Sequence, residues 1–146
     1  MLSNEKIKHC VEVARLCYEL AKNKYELSER ACRVMWFMGY NHDIGYEFMD
    51  ENFNSSEHPR IAHDILVDAF GADVQGTILL HGKVACQDNI ALRILNEADL
   101  QVDRFGNRVS VEKRLEDFEL RYGVDSRQYQ QSLYLAKELG LVGEDF

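Results

Sequence analysis

The sequence predicts an all-α fold, and three observations predict it. Only one proline stands among 146 residues. Strict apolar/polar alternation of the strand kind is almost absent, and apolar residues recur at three- and four-residue spacing between polar caps and glycines. The expected architecture is a single compact domain of about six to seven helices. Its core spans about residues 4–105, and C-terminal helices follow over about 110–140.

Ser3 is placed to cap a first helix reaching about Lys24, because a hydroxyl at that position accepts from an otherwise unpaired N–H of the first turn. At about 100° per residue, Ile7, Cys10, Val11, Ala14, Cys17, Tyr18 and Ala21 form one apolar stripe. Val13, Leu16 and Leu20 form a second, with His9 at its edge. Ser28 caps a second helix that runs through "ACRVMWFMGY" to the doublet His42–Asp43, with Trp36 and Phe37 expected in the core. Pro59 suits the first turn of a third helix that ends at Gly71. A fourth covers about Asp73 to His81, and a fifth about Asn89 to Asp103. After the loop "RFGNR", Ser110 caps a sixth helix ending near Gly123. Ser126 caps a seventh ending near Gly140, and the last residues, "LVGEDF", are expected to fray.

Composition excludes some functions. With 25 acidic against 17 basic side chains the net charge is -8, and no Lys/Arg run occurs, so a long nucleic acid is not an expected partner. No apolar run approaches the roughly 18 residues of a membrane span. Cys10, Cys17, Cys32 and Cys86 form no C-x-x-C pair and read as small core residues of a protein in a reducing cytoplasm.

The chain has five histidines, and their positions define a candidate site. Asp99 projects between Leu92 and Leu95 on the buried side of the fifth helix. An ionised carboxylate in an apolar setting costs several kcal/mol unless a cation or hydrogen bonds compensate it, so Asp99 requires a partner. His58 shares the direction of Ile61, Ile65 and Ala69, whereas His63 turns away. His81 closes a helix just before Gly82. Taken singly, each is also explained as an ordinary core histidine or a solvated acid. Together, His9, His42, Asp43, His58, His81 and Asp99 form an inventory of imidazoles and carboxylates suited to Zn, Fe, Mn, Co or Ni. Six ligands exceed what one tetrahedral ion needs, so one or two divalent ions are expected. Asp43 could bridge two ions while His42 binds one, and Gly45 would let the backbone turn beside them.

The order H…HD…H…H…D, with the doublet inside "HDIG", resembles the HD-domain superfamily of metal-dependent phosphohydrolases over about His9 to Asp103. The resemblance implies a helical core in which His9, His42, Asp43 and Asp99 hold one ion. His58 and His81 match the positions that hold a second ion in the dinuclear branches. Those branches include dinucleoside tetraphosphatases, cyclic dinucleotide phosphodiesterases and a small group of di-iron oxygenases. The stretch "ADLQVDRFGNRVSVEKRLEDFELRYG" also looks like the tail of small bacterial HD proteins. Tyr46 stands where many phosphodiesterase members carry a lysine, so that lysine's role does not carry over. The long glycine/tyrosine signature of the cyclic dinucleotide enzymes is absent as well.

The expected activity is hydrolysis of a small phosphoester, a nucleotide or dinucleoside polyphosphate, by a metal-bound hydroxide at a dinuclear site. His42 and Asp43 are its central residues, and Arg60, Lys83 and Arg104 are the candidates for positioning the phosphorylated substrate. Asp103, one turn beyond Asp99, is a candidate to support the ligands or to accept from a ribose hydroxyl. Two alternatives use the same ligands: a metal- or ligand-binding module without turnover, and a di-iron oxygenase. The sixth and seventh helices, outside the ligand set, are candidates for a homodimer contact or a substrate lid.

Overall fold

Four helix starts read from serines carry those serines as caps. The hydroxyl of Ser3 accepts from the N–H of Lys6 at 3.1 Å, Ser28 from Ala31 at 3.2 Å, Ser110 from Lys113 at 3.1 Å and Ser126 from Tyr129 at 3.2 Å. The structure, a computed structural model, describes residues 3–43, 81–82 and 89–146. The expected third helix and nearly all of the fourth, with His58, Arg60, Gly45 and Lys83, lie outside the described residues. Within them the fold is all-α: α1 (Asn4–Glu19), α2 (Glu29–Asn41), α3 (Ile90–Asp99), α4 (Val111–Tyr122) and α5 (Arg127–Glu138). None of the described helices is long and apolar enough to cross a membrane.

The first helix winds on to Lys24 as expected, but its last turn, Leu20–Lys24, opens into a π-helix. The N–H of Tyr25 bonds to the carbonyl of Leu20 at 3.0 Å and that of Leu27 to Ala21 at 2.9 Å. The wider turn brings Lys24 and Tyr25 onto the buried Glu97 of α3. Lys24 pairs with its carboxylate, and the Tyr25 hydroxyl donates to it at 3.2 Å.

Helices α1, α2 and α3 build the first core: Val13, Leu16, Cys17 and Ala21 pack with Cys32, Met35 and Met38, and with Ile94, Leu95, Ala98 and Val102. Each large side chain buried in this way contributes about 1.5–3 kcal/mol. Helices α1 and α2 come close together at Gly39, where an added Cβ would lie 2.8 Å from the Cα of Ala14 and 3.0 Å from the Sγ of Cys17. Two expectations are corrected here. Trp36 is 38% exposed and stacks on Tyr40, ring centres 5.3 Å apart, because α2 turns Cys32, Met35, Met38 and Gly39 inward. Ile7 lies exposed rather than on the buried stripe, which begins at His9 and Cys10.

The fifth predicted helix, α3, ends at Asp99 instead of Asp103. Asp103 turns the chain: its Oδ1 accepts the N–H groups of Phe105 and Asn107, each at 2.9 Å. Such side-chain bonds offer the backbone an alternative to the helix. A tight return follows, with Val102 bridged to Arg108, and Arg108 reaches across to Glu12 and Glu19 of α1. Leu100 starts a second core with Val111, Leu115, Leu135, Ala136 and Leu139. The C-terminal residues do not all fray: Gly140 takes φ +70° and the Leu141 N–H bonds back to Ala136 at 2.9 Å. That turn folds Leu141 and Val142 onto the second core.

Candidate metal centre

His9 is buried on α1, and both its ring nitrogens are engaged. Nδ1 lies 2.8 Å from the carbonyl oxygen of Asp103. A carbonyl only accepts, so Nδ1 carries the proton and the Nε2 position faces the site. His42, at the C-terminal cap of α2, repeats this arrangement with its Nδ1 2.6 Å from the carbonyl of Gly39. The glycine that brings α2 close to α1 thus also sets the ring of His42.

The two Nε2 atoms meet two carboxylates. His9 Nε2 stands 3.0 Å from Asp99 Oδ1 and 3.4 Å from Asp43 Oδ2. His42 Nε2 stands 3.3 Å from Asp99 Oδ1 and 3.2 Å from Asp43 Oδ2. The four atoms close a ring in which nitrogen and oxygen alternate. Ligands held at about 2.1 Å from one ion, at angles between about 90° and 109°, lie about 3.0–3.4 Å from each other. The four measured edges match that separation, and two triads of this cluster, His9 with His42 and Asp99 and Cys10 with His42 and Asp43, each hold their ligand atoms within 4.8 Å of one another and could hold a metal ion.

The same ring demands positive charge. Two carboxylates against two imidazole lone pairs would repel, and burial makes that worse. Burial pushes the His42 imidazole down, but Asp43 and Asp99 outweigh it and hold His42 well above its usual range. Burial likewise pushes the Asp99 carboxyl up, and the charges and hydrogen bonds of His42 and His9 overcome this and hold it well below the usual carboxylate range. A proton on His42 does in the metal-free protein what an ion would do in the loaded one.

Three further groups surround the ring. His81 presents Nε2 to the other oxygen of Asp43, Oδ1, at 3.6 Å, and its ring centre lies 5.1 Å from that of His42. The turn carrying His81 is tied to α3 by the buried Asn96, whose Oδ1 accepts the Gly82 N–H at 2.7 Å. Lys6, one turn before His9, places its ammonium 3.4 Å from Asp43 Oδ2. The thiol of Cys10 groups with His42 and Asp43, their ligand atoms within 4.8 Å of one another. Burial, then the Asp43 charge, pushes that thiol up to about 12, so it stays protonated.

On the far side of Asp99 lies Arg114 of α4, its side chain only 7% exposed. Its Nε donates to the backbone carbonyl of Asp99 at 3.3 Å, and its Nη2 lies 3.9 Å from Asp99 Oδ1.

The structure therefore brings together His9, His42, Asp43, His81 and Asp99 from the predicted ligand set. The sixth, His58, lies outside the described residues, as do Arg60 and Lys83. Arg104 is exposed, and its guanidinium lies over the ring of Phe105, 4.6 Å from the centre. Asp103 supports His9 through its main-chain carbonyl, while its carboxylate serves the turn. Sequence reasoning missed Lys6, Asn96 and Arg114. Lys6 alone carried a usable signal, being three residues before His9 and so on the same helix face. Comparison with protein-family models, curated proteins and solved structures finds no match to this chain.

Proposed function

We infer that this protein is a metal-dependent phosphohydrolase acting on a small phosphoester or phosphoanhydride, of the nucleotide or dinucleoside polyphosphate kind. One observation carries the reading: the closed ring of His9, His42, Asp43 and Asp99, with edges of 3.0 to 3.4 Å. When bound, a divalent ion lowers the pKa of coordinated water from about 16 toward about 7 and takes up charge on phosphoryl oxygens. The remaining work falls to the chain. Asp103 and Gly39 hold the two imidazoles with Nε2 inward, which fixes their tautomer and ring orientation. Asp43 divides its oxygens, Oδ2 toward His9 and His42 and Oδ1 toward His81. If a second ion were bound, Asp43 and His81 would be the described residues to hold it. Lys6 supplies a positive group beside Asp43 for a phosphoryl oxygen, which the overall charge of -8 makes necessary. The buried free thiols of Cys10, Cys17 and Cys32 suit a reducing cytoplasm.

The test is phosphate release from a panel of nucleotides, dinucleoside polyphosphates and simple phosphoesters. Wild type and Asp43→Ala would be purified without chelator under nitrogen and reconstituted in turn with Mn, Fe, Co, Ni and Zn. Turnover by wild type with several of these ions, reduced to background in Asp43→Ala, is expected. A metal-loaded wild type silent across the panel would count against hydrolysis. Consumption of oxygen with iron alone would favour an oxygenase instead.

A further inference from the structure

Arg114 is buried against the metal centre with more donors than acceptors. Its Nε and Nη2 edge faces Asp99, at 3.3 Å to the carbonyl and 3.9 Å to Oδ1. Phe118 packs under the guanidinium, its ring centre 4.4 Å from Cζ. Nη1 is buried and has no hydrogen-bond partner among the described residues. A buried cationic donor without an acceptor is costly, and native chains rarely retain one without a use. The contacts to Asp99 engage Nε and Nη2 and leave this donor over. Asp99 is also the most open of the four ring residues, its side chain 22% exposed against 5% or less for the others. Oδ1 of Asp99, the most open member of the ring, lies 3.9 Å from Nη2 of this guanidinium.

We propose that Arg114 is an oxyanion-binding residue that receives a terminal phosphoryl oxygen of the substrate on its Nη1 edge. The proposal rests on the phosphohydrolase reading and names a recognition group for it on α4, outside the expected ligand set. A planar guanidinium is well matched to a phosphate, because it keeps its charge when buried and offers two parallel N–H donors. The bond to the Asp99 carbonyl and the stacking on Phe118 hold it in place, so little side-chain freedom is lost on binding.

The experiment titrates inorganic phosphate into metal-loaded wild type and Arg114→Lys by calorimetry, with metal per chain and melting temperature measured on the same samples. Arg114→Lys is expected to keep its metal and bind phosphate about 10- to 100-fold more weakly. Equal phosphate affinity with metal retained would overturn the proposal and leave the hydrolase reading intact. Loss of metal from a folded Arg114→Lys would overturn it too, by showing that Arg114 acts through Asp99. Wild type that binds metal but neither binds phosphate nor turns over any phosphoester would remove both. Should the variant fail to fold, the guanidinium ¹⁵N resonances of Arg114 in metal-loaded wild type answer the same question. Movement that saturates with added phosphate supports the proposal, and no movement overturns it.

Discussion

Nε2 of His9 and Oδ1 of Asp99 stand 3.0 Å apart although 90 residues separate them in the chain. His9 is buried and Asp99 half-buried, and apolar packing on its own helix accounts for neither position. Each meets the other, with His42 and Asp43, in a cluster that could hold a metal ion.

Removing one member should therefore empty the set. Asp99→Asn keeps the size of the side chain and removes its charge. Loss of a residue that merely supports a ligand costs about 10- to 100-fold in metal affinity, and loss of the ligand itself should exceed that. Metal affinity measured by competition with a chromophoric chelator is the check; an unchanged value would remove Asp99 from the ligands.

The supporting residues make a second prediction. Gly106 takes φ +85°, and an added Cβ would lie 2.8 Å from the backbone of Lys8, next to His9. Gly106→Ala should cost about 1–2 kcal/mol for the left-handed backbone and more for the collision. Since the same turn presents the Asp103 carbonyl to His9, metal affinity should fall by about 10- to 100-fold as well. Urea unfolding and metal titration on one preparation test both effects.

Gly39 predicts a stability effect at a different place. A Cβ there meets main-chain atoms of Ala14, which cannot swing aside as a side-chain end could. Gly39→Ala should destabilise by about 1–3 kcal/mol, as overpacking does. A midpoint in urea equal to that of wild type would show that α1 and α2 are less closely packed than described.

The pH dependence follows from the charges of the ring. His42 is held well above its ordinary value of 6.5 in the metal-free protein. Its contribution to metal-free stability is therefore fully present below pH 6.5 and is lost as pH rises through the raised value. Asp99 is held well below its ordinary 3.8, so its contribution is present above that pH and lost as pH falls through the lowered value. Metal binding must displace the His42 proton. Affinity should then rise by about tenfold per pH unit until His42 is neutral, with about one proton released per ion from this group. Calorimetry in buffers of different ionisation enthalpy counts that proton, and affinity independent of pH would contradict the charged His42.

How much of this was legible in the sequence differs by element. Serine caps and apolar spacing located every described helix to within a few residues, because caps and stripes are local chemistry. Asp99 could be singled out because a carboxylate on an apolar face is visible as a period. The end of α3 was misplaced because the Asx turn at Asp103 stops the helix while Val102 continues its apolar pattern. Arg114 and Asn96 were invisible for another reason. Each sits on a helix face whose partner is chosen by tertiary packing, and no spacing rule says that α4 lies beside Asp99 or that the turn at Gly82 meets α3. Trp36 was misread because its size suggests burial, whereas its position on α2 puts it on the outer face.

The ring of His9, His42, Asp43 and Asp99 is expected to hold an ion. Elemental analysis of metal per chain tests it most directly, on wild type and Asp43→Ala purified without oxygen or chelator and again after reconstitution. At least one transition-metal ion per wild-type chain, absent from a folded Asp43→Ala, is the predicted result. Wild type that holds no such ion after reconstitution, or an Asp43→Ala that holds as much as wild type, would contradict it.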